Sequence, residues 1–357
     1  MARFCVFCGK KPEAKNNEHI LPLWLLELTG DPKREVSLGV NWSLTIKNER
    51  KFSYDSFKFP ACASCNNDYS LFEDKAQKVM VKVINRLAIN DLEVICLLDW
   101  FDKVRIGLWL AYHYLDKNMF GITPKFHISN RVGMQDRLLK IYLRDSEWKG
   151  LTFSGVTTPS FYHSPCCFML YVNEFAFLNA SSVNLFSRRL GFPYYEKQYA
   201  DSNDLNIVGV IRPGLERTML PLINKRFSLK GTELYQPIYK TAMKDEMART
   251  YYNTDYVLVR SIDQDKGLGK IFIQKKRVEI YPSVSTLDWI PSICYEKEHF
   301  VRMGTIDTLE FQILINDLHP SYERLEKKEQ KILNYQNKQC NKANKLIIDQ
   351  VLKSAKT

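Results

Sequence analysis

Two pairs of cysteines, each with two residues between its members, constrain the fold of this chain more than any other feature. Cys5 and Cys8 form the first pair, and Cys62 and Cys65 form the second. A pair at this spacing can bind one tetrahedral Zn²⁺, and two pairs complete a four-sulfur structural site. Gly9 follows the first pair, where a tight turn needs a glycine. The sequence therefore predicts a structural zinc site, with reduced metal-free cysteines or a single redox pair as the alternatives.

The residues between and after these pairs predict a β-hairpin followed by a helix. Residues 36–46 alternate between apolar and polar side chains, which is typical of a half-buried strand. The polar turn 48–51 leads into an aromatic run over 52–59, so we expect an antiparallel hairpin that brings the cysteine pairs together. From Asn66 to Leu87, apolar residues recur every three or four positions. This spacing predicts a helix with the asparagine as its N-cap.

The rest of the chain predicts a larger mixed domain and a terminal helix, so the fold class is α+β. A buried helix is expected over 100–115. Strands are expected over 168–171, 175–179, 205–211, 256–260, 270–274 and 277–281. We divide the chain into a unit over 1–90, an α+β domain over 91–320 and a basic C-terminal segment over 321–357, which is expected to form one long helix.

The chain carries a surplus of positive charge that is concentrated at its two ends. Its 51 lysines and arginines exceed its 40 aspartates and glutamates, which gives a formal net charge of +11. The three predicted units hold +4, +2 and +5 of this charge, in chain order. Such an excess attracts a polyanion through counterion release, so nucleic acid is a natural partner.

The sequence also favours a soluble protein without a membrane partner. The most apolar region, over 100–115, is interrupted by Asp102, Lys103 and Arg105, so it does not resemble a membrane span. The first residues lack the long apolar segment of a secretory signal and contain two cysteines instead. We therefore expect a cytoplasmic location.

Two short motifs lie beside the cysteine pairs. Glu18-His19, followed by Pro22, lies between the pairs, and Asn66-Asn67 follows the second pair directly. This order of motifs resembles the HNH branch of the His-Me finger, or ββα-metal, endonucleases, over residues 1–90 only. The resemblance implies a zinc-stabilised ββα-metal finger that hydrolyses phosphodiester bonds, most consistently in DNA.

The resemblance also assigns roles to individual residues. It makes His19 the general base and its neighbour Glu18 a candidate ligand of one catalytic Mg²⁺ or Mn²⁺. Asn66 stands at the position of the family's last histidine or asparagine, where it would hold the active-site loop or the metal. Asn67 or Glu73 could supply the remaining metal ligand, and charge favours Glu73.

The chemistry of these residues can be considered without the family name. His19 is the only histidine in the first ninety residues, and a neutral imidazole with a pKa near 6.5 is a suitable base for water. Asn66 and Glu73 share one face of a helix, but a rise of about 10 Å separates them. Glu18 and His19 point to opposite faces of a regular strand, so both can serve one site only if the backbone is irregular there. If the strand is regular, we expect Glu18 to be structural.

These observations leave three hypotheses for the function. The leading one is a metal-dependent endonuclease in which residues 91–357 recognise, regulate or oligomerise. The second is a catalytically silent, zinc-stabilised module that binds nucleic acid. The third is an effector whose α+β domain releases the nuclease, by analogy with anti-phage defence proteins that carry HNH units. On the terminal helix, Leu325, Ile332 and Leu346 could form a dimer stripe or pack back onto the core.

Overall fold

A computed structural model gives the fold of the chain. It describes residues 4–13, 16–42, 47–115, 124, 126–133, 135–182, 185–186, 194–200, 207–212, 229–236, 271–275, 278–289, 291–318 and 326–354. The strands in these ranges are β1 (Asn17–His19), β2 (Glu35–Trp42), β3 (Lys47–Ser53), β4 (Lys58–Pro60), β5 (Ile89–Asn90), β6 (Asp136–Arg144), β7 (Leu151–Ser154), β8 (Cys167–Val172), β9 (Phe175–Ser182), β10 (Tyr194–Ala200), β11 (Ile207–Arg212), β12 (Thr232–Gln236), β13 (Phe272–Gln274), β14 (Val278–Ile280), β15 (Val284–Ser285) and β16 (Pro291–Ser292). The α-helices are α1 (Leu23–Leu28), α2 (Ala63–Ile84), α3 (Asp91–Leu115), α4 (Pro159–His163), α5 (Lys297–Asp317) and α6 (Lys327–Ser354). The chain is therefore mixed α+β, as the sequence predicts.

An antiparallel sheet lies at the centre of the molecule. Among the described strands its order is β14-β13-β12-β6-β9-β8-β7, and β16 pairs with β6 in parallel. Alternate residues of a strand point to opposite faces of a sheet. In β8, Phe168 and Leu170 pack on one side, whereas Met169 and Tyr171 pack on the other. Because both faces are covered, β8 and β9 are buried along their whole length.

Helices cover the two faces of this sheet. α3 lies on one side, where Phe101 packs against Phe168. α5 lies on the other side, where Phe300 packs against Tyr171. α3 is buried without interruption over 100–113, because the N-terminal unit covers the side of the helix that faces away from the sheet. None of the described helices is long and apolar enough to cross a lipid bilayer.

The N-terminal unit, residues 4–90, is built around a short strand pair and one long helix. β1 pairs with β4, and α2 follows β4 directly. Between the paired strands the chain forms α1 and the β2–β3 hairpin. One hydrophobic cluster joins this unit to the body, since it contains Leu25, Met80 and Phe101 together with residues of the central sheet.

The predicted hairpin is present, but the predictions of its turn and of its role are wrong. Residues 48–51, predicted as the turn, lie inside β3 and pair with β2. Residues 43–46 lie outside the described part of the chain. Phe59 belongs to β4 and pairs with Glu18 of β1. The strand pair β1–β4, not the hairpin, therefore connects the regions that carry the cysteines.

The helix predicted from Asn66 is present as α2, but it begins earlier. Its N-cap is Cys62, so Asn66 lies inside the first turn and caps nothing. The second cysteine pair thus spans the start of the helix, and the cysteine turn rather than an asparagine determines where the helix begins. A rule based on N-cap preference could not find this start, because cysteine is not among the preferred caps.

The helix predicted over 100–115 also begins earlier, at Asp91. Glu93 N donates to Asn90 Oδ1 at 2.8 Å, and Asn90 N donates to Glu93 Oε2 at 2.9 Å. This reciprocal pair is a capping box, which satisfies two backbone donors at the helix start. Of the predicted strands, those over 168–171, 175–179, 205–211, 270–274 and 277–281 correspond to β8, β9, β11, β13 and β14. The strand predicted over 256–260 lies outside the described residues.

The C-terminal helix packs through its amide side chains. α6 contacts α5 and α4, and the helix buries Asn337, Cys340, Asn341 and Asn344. Asn344 Nδ2 donates to Gln312 Oε1 of α5 at 3.0 Å. The helix is therefore present as predicted, and its most deeply buried contacts with the body are made mainly by amides.

Two of the apolar residues of α6 face outwards. Ile332 is 51% exposed and Leu346 is 55% exposed. The expectation that these two residues pack back onto the core is therefore wrong, because that side of the helix is occupied by asparagines. Leu325 lies outside the described residues, and a dimer stripe stays a prediction.

Candidate active site

The four cysteines of the two pairs meet at one point. Their Sγ atoms all lie within 4.8 Å of one another, and Cys8 Sγ is 3.8 Å from Cys62 Sγ. Tetrahedral zinc with Zn–S bonds of about 2.3 Å separates its sulfurs by roughly 3.8 Å. Cys5, Cys8, Cys62 and Cys65 therefore form a cluster that could bind a metal such as zinc.

Backbone hydrogen bonds and one glycine shape the turns that carry these thiols. Gly9 N donates to Cys5 O at 2.9 Å, and Gly9 has a φ of 75°, in the left-handed region that favours glycine. A Cβ at this position would lie 2.5 Å from the ring of His127. Cys62 N donates to Cys5 Sγ at 3.2 Å, which joins the second pair to the first. The cluster is thus supported by the backbone of both turns.

His19 lies at the end of β1 and is half-buried. Its Nε2 atom is 3.2 Å from Asp55 O. A carbonyl oxygen can only accept a hydrogen bond, so Nε2 carries the proton and Nδ1 presents a lone pair. Burial, and after it the positive charge of Lys58, lowers the pKa of His19 below its ordinary value. The imidazole is therefore neutral at pH 7, which is the protonation state that a general base needs.

Glu18 and His19 face opposite sides of β1, because this strand is regular. β1 pairs with β4 in unbroken register, with Glu18 opposite Phe59 and His19 opposite Lys58. Glu18 is only 8% exposed and points into the interior, towards α3. The strand geometry thus separates this carboxylate from the imidazole, which favours the structural role that we expect for Glu18 in a regular strand.

Glu18 and Glu73 meet at a lysine. Lys103 of α3 is fully buried, and its Nζ atom is 2.6 Å from Glu18 Oε1 and 2.5 Å from Glu73 Oε1. The same Nζ atom is 3.2 Å from His19 O and 3.4 Å from Ile20 O. The two acidic residues predicted as ligands of a catalytic metal are therefore brought together, and the cation between them is an ammonium group.

The electrostatics of this cluster favour a charged lysine. Burial alone would lower the pKa of Lys103, but Glu73 and Glu18 outweigh it and raise the pKa above its ordinary value. Burial raises the pKa of Glu73, and Lys103 offsets part of this rise. A second cation at the same oxygens would meet strong repulsion, because like charges interact strongly in a buried site. A divalent metal therefore does not fit between these carboxylates while Lys103 is charged.

The two asparagines near the start of α2 have different surroundings. Asn66 Oδ1 is buried and has no hydrogen-bond partner among the described residues. Asn67 is exposed and lies about 100° around the helix from Asn66. Asn66 and Glu73 lie on the same face of α2, as the spacing predicts. Asn66 thus keeps an unused acceptor in the interior, whereas Asn67 faces solvent.

No motif indicates Lys103 as a partner of Glu18 and Glu73. It lies 85 residues from Glu18 and 30 residues from Glu73 in the chain. One feature of the sequence could have indicated it. The most apolar helix contains charged residues. Buried charges are almost always paired, so a lysine in such a helix predicts nearby carboxylates.

A basic cleft of about 660 Å³ lies between the N-terminal unit and the body. Its charged lining consists of Arg34, Lys149, Lys297, Arg302, Glu35 and Glu298. Tyr54, the neighbour of Asp55, and Trp148 add aromatic surface. Positive groups therefore outnumber negative ones, beside the segment whose carbonyl group contacts His19.

Comparisons of the chain with protein-family models, with curated proteins and with solved structures find no match.

Proposed function

We propose that the N-terminal unit is an endonuclease of the HNH type that hydrolyses phosphodiester bonds, with His19 as the general base. The observation that carries this proposal is the state of His19, which is half-exposed, neutral at pH 7 and held by Asp55 O in one tautomer. In such an enzyme Nδ1 takes a proton from the attacking water. The order of the motifs around the cysteine cluster supports the same proposal.

Structural zinc is part of this proposal. Cys5, Cys8, Cys62 and Cys65 would hold it, and their geometry is compatible with a tetrahedral ion. The ion would supply folding free energy to a unit whose paired strands are short. It would also fix the start of α2, and with it Asn66, relative to the turn of the first cysteine pair.

Nucleic acid, and DNA in particular, is the proposed substrate. Lys58 lies opposite His19 on the neighbouring strand, and Tyr54, which precedes Asp55 in the chain, lines the basic cleft. Positive groups of this kind bind phosphates, and an aromatic side chain such as Trp148 can stack on a base. The exposed lysines of α6 could add non-specific contacts to phosphates.

The contact of Lys103 with Glu18 and Glu73 favours a second candidate function. Without carboxylate ligands for a catalytic metal, the unit could be a zinc-stabilised module that binds nucleic acid and does not cleave it. Such a module needs the cysteine cluster and the basic cleft, but it does not need the imidazole of His19. The catalytic Mg²⁺ or Mn²⁺ therefore stays a prediction from the resemblance.

A cleavage assay separates the two functions. Supercoiled plasmid, single-stranded DNA and RNA are incubated with wild type and with His19→Ala, with Mg²⁺, with Mn²⁺ and without added metal. Loss of a general base lowers the rate by about 10²–10⁴-fold, so we expect His19→Ala to bind the substrate without measurable cleavage. Zinc content and thermal unfolding of the two proteins should agree.

His163→Ala is the matched control for this assay. His163 is another histidine whose pKa is lowered by burial, and it lies on α4, outside the N-terminal unit. We expect this variant to cleave like wild type. If wild type retards DNA on a gel and leaves every substrate intact under all three conditions, the binding module is the better description.

A further inference from the structure

The oxygens around Lys103 form a cradle of the kind that binds cations. Two carboxylate oxygens, from Glu18 and Glu73, lie at 2.6 and 2.5 Å from its Nζ atom, and two carbonyl oxygens, from His19 and Ile20, lie at 3.2 and 3.4 Å. Hard divalent cations are bound by the same ligand types, namely carboxylates and backbone carbonyls. The oxygens come from β1 with the residue that follows it and from α2, and α3 supplies the lysine.

The two buried carboxylates of the cradle need a cation beside them whenever the chain is folded. Glu18 is 8% exposed, Lys103 is fully buried, and the Glu73 side chain is 14% exposed. Buried carboxylates without a counter-charge are strongly disfavoured. The ammonium group is part of the chain, so it is present at the site whatever metal ions the solution contains.

We propose that Lys103 is the resident cation of the Glu18–Glu73 site, and that its ammonium group takes the place that the resemblance assigns to a divalent metal ion. The two carboxylates then hold the N-terminal unit on α3 instead of binding metal. The lysine also positions the backbone of His19, through its contact with His19 O. This proposal does not depend on the nuclease activity, because it concerns the occupant of the site in the folded protein.

Removal of the ammonium group should turn the cradle into a divalent cation site. Lys103→Ala leaves two carboxylates and two carbonyl oxygens around an open space, with two negative charges that one Ca²⁺ neutralises. Ca²⁺ is the probe of choice because it prefers oxygen ligands at 2.3–2.6 Å. It has little affinity for thiolates, so the cysteine cluster should not respond to it.

The experiment measures the melting temperature of the full chain with and without Ca²⁺. We expect no change for wild type and a rise of roughly 5 °C for Lys103→Ala at saturating Ca²⁺. Lys103→Ala combined with Glu18→Gln and Glu73→Gln should show no rise, because the carboxylates are gone. Lys103→Met should show none either, because its side chain fills the cradle without a charge.

Two results would overturn the proposal. One is a Ca²⁺-dependent rise in the melting temperature of wild type that disappears when Glu18→Gln and Glu73→Gln are introduced with Lys103 retained. A metal would then displace the lysine. The other is the absence of any response in Lys103→Ala. If Lys103→Ala is unfolded in Ca²⁺-free buffer, refolding with and without Ca²⁺ makes the same comparison, and recovery only with Ca²⁺ supports the proposal. Failure to recover under both conditions counts against it.

Discussion

Two elements are joined to the body of this protein by buried polar side chains, and they differ in charge. The N-terminal unit shares a hydrophobic cluster with the body, and its polar contact with α3 is made through Lys103, which bonds to the carboxylates of Glu18 and Glu73. The C-terminal helix α6 is joined to α5 through its neutral amides, as in the pair Asn344 and Gln312, and one of these amides donates to the carboxylate of Asp317. The ionic junction depends on one cation, whereas the amide junction is distributed over several weaker bonds.

The amide junction consists of the hydrogen bonds that Asn337, Asn341 and Asn344 of α6 make with α5, and one of them ends on Gln312, which the body also holds. The Nε2 atom of Gln312 donates to Gly155 O at 2.8 Å and to Cys167 O at 2.9 Å. Its Oε1 atom accepts from Thr158 Oγ1 at 2.8 Å and from Asn344 Nδ2 at 3.0 Å. Loss of one partner therefore leaves Gln312 with three others. A single substitution should therefore damage the ionic junction much more than the amide junction.

Lys103→Met should give the largest effect. It leaves Glu18 and Glu73 buried without a counter-charge, and breaking a buried ion pair on one side costs about 3–5 kcal/mol. Urea unfolding at pH 7 measures this loss. Adding Glu18→Gln and Glu73→Gln to the same protein should restore most of the stability, because the unpaired charges are removed. If Lys103→Met alone were as stable as wild type, the ionic junction would not hold the N-terminal unit on α3.

Asn344→Ala should give an intermediate effect. The side chain is fully buried, and its loss removes one donor to Gln312 Oε1, which keeps its bond from Thr158. We expect a loss of about 1–3 kcal/mol in the free energy of unfolding. The measurement is the same urea titration. A loss as large as that of Lys103→Met would contradict the distributed character of the amide junction.

Alkaline pH should weaken the ionic junction alone. Burial lowers the pKa of Lys103, but Glu73 and Glu18 outweigh it, so the pKa in the folded protein lies above the ordinary value of about 10.4. A lysine whose pKa is higher in the folded than in the unfolded protein stabilises the fold. This stability is fully present below the pKa of the unfolded state and is lost as the pH rises through the pKa of the folded state.

The measurement compares wild type with the variant that carries Lys103→Met, Glu18→Gln and Glu73→Gln. Above pH 10.4, wild type should lose up to about 1.4 kcal/mol per pH unit relative to this variant. Tyr54 and Tyr281, whose pKa burial raises to about 12, are present in both proteins and cancel. The difference between wild type and Asn344→Ala should stay constant over the same range. If the difference in stability between wild type and the triple variant also stayed constant above pH 10.4, the pKa of Lys103 would not be raised.

Leu346→Ser should give the smallest effect. Leu346 is 55% exposed on α6, opposite the asparagines that hold the helix. Substitutions at exposed positions usually change the free energy of unfolding by less than about 0.5 kcal/mol. Urea unfolding at low and high protein concentration checks this value. A larger loss that appears only at high concentration would support the predicted dimer stripe.

Local patterns predict the elements of this fold better than their ends. The apolar runs of β8 and β9 identify both strands, because each is buried on both faces. The start of α2 escapes prediction, because Cys62 is placed by the cysteine cluster rather than by helix capping. The orientation of α6 escapes it too, since Ile332 and Leu346 imply a buried apolar face where the structure buries asparagines.

In the candidate site too, local patterns predict some features, and others depend on how the whole chain folds. The spacing within each cysteine pair favours a shared four-ligand zinc site, and the four cysteines do meet, although β1–β4 rather than the predicted hairpin connects them. The surroundings of His19 depend on Asp55, which approaches from a single 3-10 turn over Tyr54–Ser56, and no local rule predicts that contact. The partner of Glu18 depends on the packing of α3, so only the folded chain reveals it.

The position of Lys103 also decides how far the first unit can be regarded as a transferable cassette. A graft of residues 1–90 into another protein would carry Glu18 and Glu73 without the lysine that neutralises them. It would also lack the surface of α3 that shares a core with Leu25 and Met80. The boundary at residue 90 marks a change in sequence pattern, but the smallest piece with its own counter-charge extends to the end of α3. An exchange between proteins would have to move that helix as well.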